Sequence, residues 1–189
     1  MTVVAIDGPA GSGKSTVAAA LALRLGVPHV DTGAIYRAAT LAVLRAGVDV
    51  RDEAACLRVV ERASILRADG RTRLDGEDVE ALIRGPEVTA AVSAVSEHPA
   101  VRAALLGLQR AQVGDAGGVV EGRDAGTVVV PDARLKVWLT ANPLERARRR
   151  DAHDAAQMRR APDAVEIDTT GRGIEDLVDE LASMVEARA

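Results

Sequence analysis

A glycine-rich turn near the start of the chain limits the possible folds more than any other feature. From Gly8 to Ser15 it has the spacing glycine, four residues, glycine, lysine and then serine or threonine. An apolar run from Thr2 to Ile6 precedes the turn, and an Ala- and Leu-rich stretch predicts a helix from about Lys14 to Leu25 after it. Strand, glycine-rich loop and helix in this order indicate a loop that wraps phosphate groups.

Each part of this phosphate loop suits a nucleoside triphosphate. Glycines let successive backbone N–H groups point at phosphate oxygens, and the N-terminus of the next helix adds roughly half a positive charge. Lys14 can reach the terminal phosphates, and the Ser15 hydroxyl suits Mg2+ as a metal ligand. We therefore expect a nucleoside triphosphate such as ATP as phosphoryl donor, with Mg2+ as the cofactor; the expected contacts are Gly8, Pro9, Ala10, Gly11, Ser12, Gly13, Lys14, Ser15 and Thr16.

Further apolar runs alternate with helical stretches along the chain. Candidate strands precede Glu121, span Leu135 to Thr140 and precede Asp168, whereas helices are predicted before Gly47, after Pro99 and at the C-terminal end. Such alternation is typical of parallel strands that are covered by helices on both faces. The prediction is an α/β fold of the P-loop NTPase class, with a five-stranded parallel sheet flanked by helices.

A polar middle section interrupts this alternation. Its RLDGED segment predicts a hairpin turn between short strands. Because 189 residues suit a single domain, we expect a core over about 1–50 and 98–189, an insertion over about 51–97 and a short arm over about 146–162. The sequence leaves open whether the insertion moves on ligand binding or only stabilises the core.

Composition excludes several classes of partner. The net charge of -4 argues against broad binding to nucleic acid or to a membrane surface. No apolar run reaches the roughly 18 residues that a membrane span requires, and the single Cys56 cannot form an internal disulfide. We expect a cytoplasmic monomer whose ligands are small molecules.

A second set of polar residues follows two of the candidate strands. The segment from Asp31 to Arg37, which we predict to be a loop, follows one strand, and the segment from Glu121 to Asp124 follows another. Open parallel sheets present ligand-binding groups at such strand ends. Arg37 and Arg123 are candidates for holding a phosphate monoester, since guanidinium groups bind phosphate bidentately. Each arginine by itself is equally compatible with a surface ion pair.

The phosphate loop alone leaves the acceptor open, because GTPases, motor ATPases and small-molecule kinases share it. The sequence has no NKxD-type guanine signature, and its length favours a compact kinase. Two further interpretations stay open: a kinase of another small acceptor, such as the shikimate or gluconate type, and a non-catalytic nucleotide-binding regulator. The presence of Lys14 and Ser15 argues against the regulator.

Five segments together resemble the bacterial cytidylate kinase family, in the family's order: GPAGSGKST, DTGAIYR, AVSEHPAVRAALLGLQR, VVEGRDAGTVVVPDARLKVWL and APDAVEIDTT. The resemblance extends from about residue 2 to residue 185. It implies ATP-dependent phosphorylation of CMP, and of dCMP, to the diphosphate, with ADP as co-product. It also implies that the insertion binds the nucleoside monophosphate (NMP) and that the short arm is a lid.

The same resemblance implies roles for individual residues. Arg37 and Arg123 would bind the monophosphate, and Ser93, Arg102 and Asp124 would read the cytosine edge. The cytosine amine suits the carboxylate of Asp124, and the neighbouring acceptors suit an arginine. The complete implied set is Lys14, Arg123 and Arg150 for catalysis, and Thr32, Arg37, Ser93, Arg102, Arg123, Asp124, Arg150 and Asp154 for the substrate.

The lid departs from the family pattern. After Arg150 the chain continues at once with DAHDAAQ, so the lid is shorter than in the family, and Gln157 stands where the family has arginine. We expect Arg159 or Arg160 to supply the missing guanidinium. The sequence does not distinguish a preference among CMP, dCMP and UMP.

Overall fold

The computed structural model describes residues 2–68, 70–142 and 158–188. The strands are β1 (Thr2–Asp7), β2 (His29–Asp31), β3 (Ile65–Ala68), β4 (Arg71–Leu74), β5 (Glu77–Asp78), β6 (Gly117–Glu121), β7 (Leu135–Thr140) and β8 (Val165–Asp168). The helices are α1 (Lys14–Leu25), α2 (Thr32–Arg45), α3 (Glu53–Val60), α4 (Pro86–Glu97), α5 (Pro99–Ala111) and α6 (Ile174–Glu186). The chain divides into two compact units, the first made of 1–31 with 112–189 and the second of 32–111.

The first unit is built on a parallel sheet with the strand order β2-β6-β1-β7-β8. Strand β1 lies at the centre, and both it and β6 are buried along almost their whole length. This burial is expected for strands that are covered on both faces. The predicted α/β fold with a five-stranded parallel sheet is therefore confirmed, as are the predicted bounds of α1.

Helices α1 and α6 cover one face of this sheet. The apolar residues of α6 recur at spacings of one, three and four, which places them on a single stripe of the helix. Each fully buried Val, Leu or Ile contributes roughly 1.5–3 kcal/mol. The resulting core contains Val4, Ile6, Val17, Ala18, Leu21, Ala22, Val119, Leu135, Val137, Leu139, Ile167, Leu177, Val178, Leu181, Ala182 and Val185.

The second unit packs helices and a small antiparallel sheet around α2. This helix contacts α3, α4 and α5 as well as strands β3 and β4. Strands β3, β4 and β5 form the sheet, and Asp75 and Gly76 make the turn between β4 and β5 with φ values of 51° and 86°. A two-residue Asp-Gly turn with two positive φ angles matches the right-handed twist of a hairpin. The predicted hairpin is confirmed.

Two expectations about local structure in this unit were wrong or incomplete. The segment that follows Asp31 is not a loop, because β2 ends at Asp31 and α2 begins at Thr32. Helices α3 and α4 were not predicted within the polar middle section. Their start signals were present, however: the Asp52 side chain accepts a hydrogen bond from Ala55 N at 2.9 Å, and Pro86 is the first residue of α4.

The second unit extends beyond the insertion predicted for residues 51–97, since it also includes α2 and α5. The assignment of 51–97 as an NMP-binding insertion stays a prediction. Among the described residues, no helix combines the length and the apolar character needed to cross a bilayer.

Candidate active site

The phosphate loop connects β1 to α1 and has the backbone that its sequence requires. Gly8 has a φ of 147°, and a Cβ atom at this position would lie 2.2 Å from the carbonyl oxygen of Leu139. No side chain larger than hydrogen fits there. Gly13, with a φ of 85°, stands directly before α1, so the N–H groups of the first helical turn open toward the loop.

Side chains inside the loop are placed for an anion. Lys14 is buried and donates a hydrogen bond from Nζ to the carbonyl oxygen of Pro9 at 2.8 Å. Ser12 Oγ is buried without a hydrogen-bond partner among the described residues. The hydroxyl of Thr169, which follows β8, donates to the carbonyl oxygen of Ser12 at 3.1 Å and fixes the loop from the other side. A buried hydroxyl without a partner is costly unless a ligand supplies one.

Ser15, the predicted metal ligand, lies beside a carboxylate to which the sequence analysis gave no role. Its hydroxyl donates to Glu121 Oε2 at 2.9 Å, and His29 Nε2 donates to Glu121 Oε1 at 3.1 Å. Glu121 is only 3% exposed and ends β6, and His29 begins β2. The available signal was the position of Glu121 at the carboxyl end of a strand that neighbours β1.

These residues fit a triphosphate with its magnesium ion. Mg2+ in nucleotide sites takes hard oxygen ligands and shares its remaining coordination with phosphate and water. The Ser15 hydroxyl and the Glu121 carboxylate supply such oxygens, while the unpartnered Ser12 hydroxyl suits a phosphate oxygen. The oxygen atoms near the N-terminal end of α1 therefore match the ligand that the loop sequence predicts.

A second carboxylate, Asp7, lies at the end of β1 directly before the loop. It is 3% exposed and accepts hydrogen bonds from Ala125 N on Oδ1 and from Gly126 N on Oδ2, both at 2.8 Å. Burial raises the pKa of Asp7 to about 6, although these two N–H groups and the charge of Lys14 lower it; the nearby Asp124 carboxylate adds to the rise. The sequence analysis missed Asp7 completely.

Arg123 and Asp124 follow β6 in the same unit. Asp124 is buried and leaves the extended backbone of the strand, with a φ of -148° and a ψ of 25°. Its carbonyl oxygen accepts hydrogen bonds from Val128 N and from the hydroxyl of Thr127. The carbonyl oxygen of Arg123 accepts a hydrogen bond from Arg159 N at 3.0 Å, which places the last part of the predicted lid beside the segment that follows β6.

Arg37 lies in the second unit, on the second turn of α2. Its Nη1 donates to the carbonyl oxygen of Ile83 at 3.1 Å and to the hydroxyl of Thr89 at 2.9 Å. Neither acceptor is a carboxylate. These two bonds orient the guanidinium, a group whose planar fork can bind phosphate bidentately.

Three further predicted substrate residues lie in the second unit. The guanidinium of Arg102 lies 5.4 Å from the ring centroid of Tyr36, and its Nη1 donates to the carbonyl oxygen of Ser96 at 3.3 Å. The Ser96 hydroxyl in turn donates to the carbonyl oxygen of Ser93 at 3.2 Å. A planar guanidinium over an aromatic ring is a cation–π contact, and it holds Arg102 in one orientation. Thr32 is buried at the start of α2.

The structure thus places the residues predicted to bind ATP in the first unit with Arg123 and Asp124, whereas Thr32, Arg37, Ser93 and Arg102 lie in the second. Arg150, Asp154 and Gln157 lie outside the described residues. Of the two arginines expected to replace the one missing at Gln157, Arg160 is paired with Glu166 and donates to the carbonyl oxygen of Ala164. Arg159 is tied to Arg123 through its backbone.

Comparison with known proteins gives consistent matches. The sequence profile of the Cytidylate kinase family matches residues 4–157. The cytidylate kinase of Mycolicibacterium paratuberculosis is 46% identical over 219 aligned positions, which cover 99% of this chain and 96% of that protein. The cytidylate kinase of Mycobacterium leprae is 56% identical over 155 positions, covering 82% and 70%. The cytidylate kinase of Geobacillus kaustophilus is 41% identical, covering 98% and 96%.

The alignments also contain information about length. An alignment of 219 positions with a chain of 189 residues leaves at least 30 residues of the M. paratuberculosis enzyme without a counterpart. The family profile ends at residue 157, inside the arm predicted over 146–162. Both findings agree with a chain that is shorter than its relatives, and the location of the missing residues in the lid stays a prediction.

Proposed function

The chain belongs to the cytidylate kinase family, and on that premise we propose that it transfers the terminal phosphoryl group of ATP to CMP, releasing CDP and ADP. The family is one of nucleoside monophosphate kinases, so the chain is an enzyme and a transferase. dCMP is proposed as a second acceptor.

One observation supports the proposal most directly. The phosphate loop, the Ser15–Glu121 pair and the Arg123–Asp124 segment all follow the carboxyl ends of the adjacent strands β1 and β6. A phosphoryl donor held by the loop and an acceptor held after β6 would therefore meet at one edge of one sheet. Proximity of the two substrates supplies much of the rate acceleration in such a transfer.

Charge neutralisation supplies most of the rest, because phosphoryl transfer needs little covalent help from the protein. Mg2+ bound with ATP would neutralise negative charge on the phosphates. Lys14 binds the terminal phosphates of ATP, and Ser15 and Glu121 hold oxygens toward the metal site. Arg123, with Arg150 from outside the described residues, stabilises charge on the transferred group.

Individual residues are proposed to bind separate parts of CMP. Arg37 and Arg123 bind the phosphate of CMP, and Asp124 accepts a hydrogen bond from the cytosine amine while Arg102 and Ser93 contact the rest of the base edge. Arg102 is suited to this role because the Tyr36 ring and the Ser96 carbonyl oxygen hold its guanidinium plane in place. Thr32, Arg150 and Asp154 complete the proposed substrate contacts.

The remaining proposals concern the setting of the enzyme. Residues 51–97 are proposed as the NMP-binding insertion and 146–162 as the lid. We propose a monomer that acts in the cytoplasm, where its one thiol, the buried Cys56, stays reduced. Size-exclusion chromatography with light scattering tests the monomer.

A coupled assay of ADP release tests the reaction. The purified chain is incubated with ATP and Mg2+ and with CMP, dCMP, UMP, AMP, GMP, shikimate or gluconate in turn. The expected result is a kcat/KM for CMP and dCMP that exceeds the value for every other acceptor. Turnover that is fastest with shikimate, gluconate or a purine monophosphate would contradict the proposal, and the absence of turnover with all acceptors would favour a regulator.

A further inference from the structure

The segment that carries Arg123 and Asp124 is tied to the end of β1 on both sides. Before these residues, Gly122 N donates to the carbonyl oxygen of Ile6 at 3.1 Å. After them, the N–H groups of Ala125 and Gly126 donate to the two carboxylate oxygens of Asp7. The two residues proposed to bind the acceptor are therefore bracketed by hydrogen bonds to two consecutive residues of one strand.

The contact with Asp7 fixes an orientation as well as a distance. Two parallel N–H···O bonds to one carboxylate define its plane, and bonds to a charged acceptor are stronger than bonds between neutral groups. The approach is also close: a Cβ atom on Gly126 would lie 3.3 Å from Asp7 Oδ2 and 3.3 Å from Ala5 Cβ. Gly126 permits this packing because it has no side chain.

Asp7 is also the residue before Gly8, the first residue of the phosphate loop. The backbone of Gly8 lies so close to the carbonyl oxygen of Leu139 that a Cβ atom there would come within 2.2 Å of it. The carboxylate of Asp7 thus joins two segments, one that binds the donor and one that binds the acceptor. Along the chain, Asp7 is separated from Ala125 by 118 positions and from Gly126 by 119 positions.

On the basis of the proposed function, we propose that Asp7 is a positioning residue for CMP recognition: its carboxylate holds the backbone at Ala125 and Gly126 so that Asp124 faces the cytosine edge. Asp7 does not touch either substrate in this role. It sets the orientation of Asp124 relative to the phosphate loop, and with it the discrimination between CMP and UMP, whose base carries a carbonyl where cytosine carries an amine.

The energetic state of Asp7 supports a functional role. Its pKa of about 6 means that burial disfavours the charged form, so the ionised carboxylate is kept at neutral pH at a cost in stability. Buried groups with perturbed titration are concentrated at functional sites. A turn that needed only a structural cap could be held by a neutral side chain at lower cost.

The test is the variant Asp7→Asn, in which the amide keeps the size of the side chain but can accept only one of the two N–H bonds. Loss of one charge-assisted bond at the turn should raise KM for CMP about tenfold or more. KM for ATP should change less than about threefold, because the phosphate loop keeps its own backbone contacts. The ratio of kcat/KM for CMP to that for UMP should fall by at least about fivefold, because Asp124 no longer faces the base in one orientation.

Two further variants separate positioning from general loss of structure. Val178→Ala, on α6 against the sheet, removes buried methyl groups far along the chain from both ligand segments and should lower the melting temperature without changing either KM. Gly126→Ala keeps Asp7, but the added methyl group would lie 3.3 Å from Asp7 Oδ2 and should displace the carboxylate by a few tenths of an ångström. It should raise KM for CMP by a smaller factor, about threefold, and it serves as the decisive variant if Asp7→Asn does not fold.

The outcomes distinguish this inference from the function on which it rests. Equal increases of KM for ATP and CMP in Asp7→Asn, or an unchanged CMP to UMP ratio, would overturn the positioning role while leaving the kinase intact. A change of the same ratio in Val178→Ala would show a general structural effect and would overturn it as well. A parent protein without turnover on any monophosphate would overturn both.

Discussion

Two regions of the molecule, the end of β1 in the first unit and the hairpin in the second, hold their acidic side chains in opposite ways. In the first unit the buried Asp7 is bound by backbone N–H groups, and burial raises its pKa to about 6. In the second unit the acids around the hairpin pair with arginines, and their pKa values lie below the ordinary range. The pairs are Glu77 with Arg45, Asp78 with Arg71, and Glu80 with Arg67 and Arg84.

The difference follows from what each region has to do. The hairpin of the second unit has few buried apolar residues, so ion pairs and hydrogen bonds hold its strands in register. Next to the phosphate loop, a carboxylate that paired with an arginine would compete with the phosphate ligand for that guanidinium. The hydrogen bonds that Asp7 accepts come instead from backbone N–H groups, which carry no net charge.

The largest expected effect is that of Lys14→Ala, which should lower the catalytic rate much more than the stability of the fold. Lys14→Ala should lower kcat by at least about 100-fold, because one charge that stabilises the transferred phosphoryl group is lost. The free energy of unfolding should change by only about 1 kcal/mol, the typical contribution of a hydrogen bond such as the one that Lys14 donates to the carbonyl oxygen of Pro9. Steady-state kinetics and urea denaturation measure the two quantities.

Lys136→Ala is the matched control, because Lys136 is the other lysine of the chain and pairs with the exposed Asp163. It should change kcat by less than about threefold, because an ion pair with one solvent-exposed partner contributes about 0–1 kcal/mol. Normal turnover in Lys14→Ala would contradict the kinase proposal and remove the basis of the comparison.

The second prediction concerns the raised pKa of Asp7, whose shift is opposite in direction to those of the hairpin acids. The pKa of Asp7 is raised from 3.8 to about 6 in the folded state, so its stabilising contribution is fully present below pH 3.8 and is lost as the pH rises through about 6. The free energy of unfolding of the parent, relative to Asp7→Asn, should therefore fall between pH 4 and pH 7. The fall corresponds to up to about 3 kcal/mol.

Denaturant unfolding at several pH values in this range measures the difference between parent and variant. A difference that stays flat, or that grows as the pH rises, would show that the two N–H bonds outweigh the burial of the carboxylate. Asp7 would then resemble the acids of the second unit.

The third prediction concerns the ion pairs of the hairpin. Glu80 accepts hydrogen bonds from Thr72 at 2.8 Å and from Arg67 and Arg84, and Arg67 is almost fully buried. Although partial burial opposes it, these bonds and the charges of Arg67 and Arg84 hold the pKa of Glu80 below 4.5. Glu80→Gln should lower the free energy of unfolding by about 1–2 kcal/mol at pH 7, because Glu80 is partly exposed.

The pH dependence should be the reverse of that of Asp7. A lowered pKa gives a stabilising contribution that is present above about pH 4.5 and is lost as the pH falls through the folded-state value. The difference between parent and Glu80→Gln should therefore shrink as the pH is lowered from 6 toward 3, while KM for ATP stays unchanged. A stability difference that is independent of pH would mean that the charge of Glu80 has no part in the pairing.

The smallest expected effect concerns the predicted lid, in which Arg159 and Arg160 are held in different ways. Arg160 is paired with Glu166, as the arginines of the second unit are with their acids, whereas Arg159 is tied by its backbone to Arg123. Arg159→Ala should lower kcat/KM for CMP about fivefold, or roughly 1 kcal/mol, and Arg160→Ala less than twofold. ADP release with and without CMP, in these variants and in Gln157→Ala, is the measurement.

We expect the double variant of Arg159 and Arg160 to lose more activity than Gln157→Ala. We also expect the parent to hydrolyse ATP measurably in the absence of CMP, because a short lid excludes water less completely. Parental activity in the double variant would show that neither arginine replaces the one missing at Gln157.

Local sequence patterns were sufficient for much of the fold. The glycine spacing predicted the loop from Gly8 to Ser15, the Ala- and Leu-rich stretch predicted α1, and RLDGED predicted the hairpin. Helices α3 and α4 were missed because their start signals, the cap at Asp52 and the proline at Pro86, were not used. The helix before Gly47 was predicted, but its first turn was interpreted as a loop, because it follows β2 without an intervening turn signal.

The sequence by itself determined the family, the parallel sheet and the phosphate loop, since each is written in contiguous segments whose spacing and order carry the information. Only the tertiary structure decided which carboxylates serve that loop. The bond between Ser15 and Glu121 joins residues 106 positions apart, and the bonds of Asp7 to Ala125 and Gly126 join residues still farther apart. Such contacts depend on strand order and on the burial of charge, and neither has a local pattern in the chain.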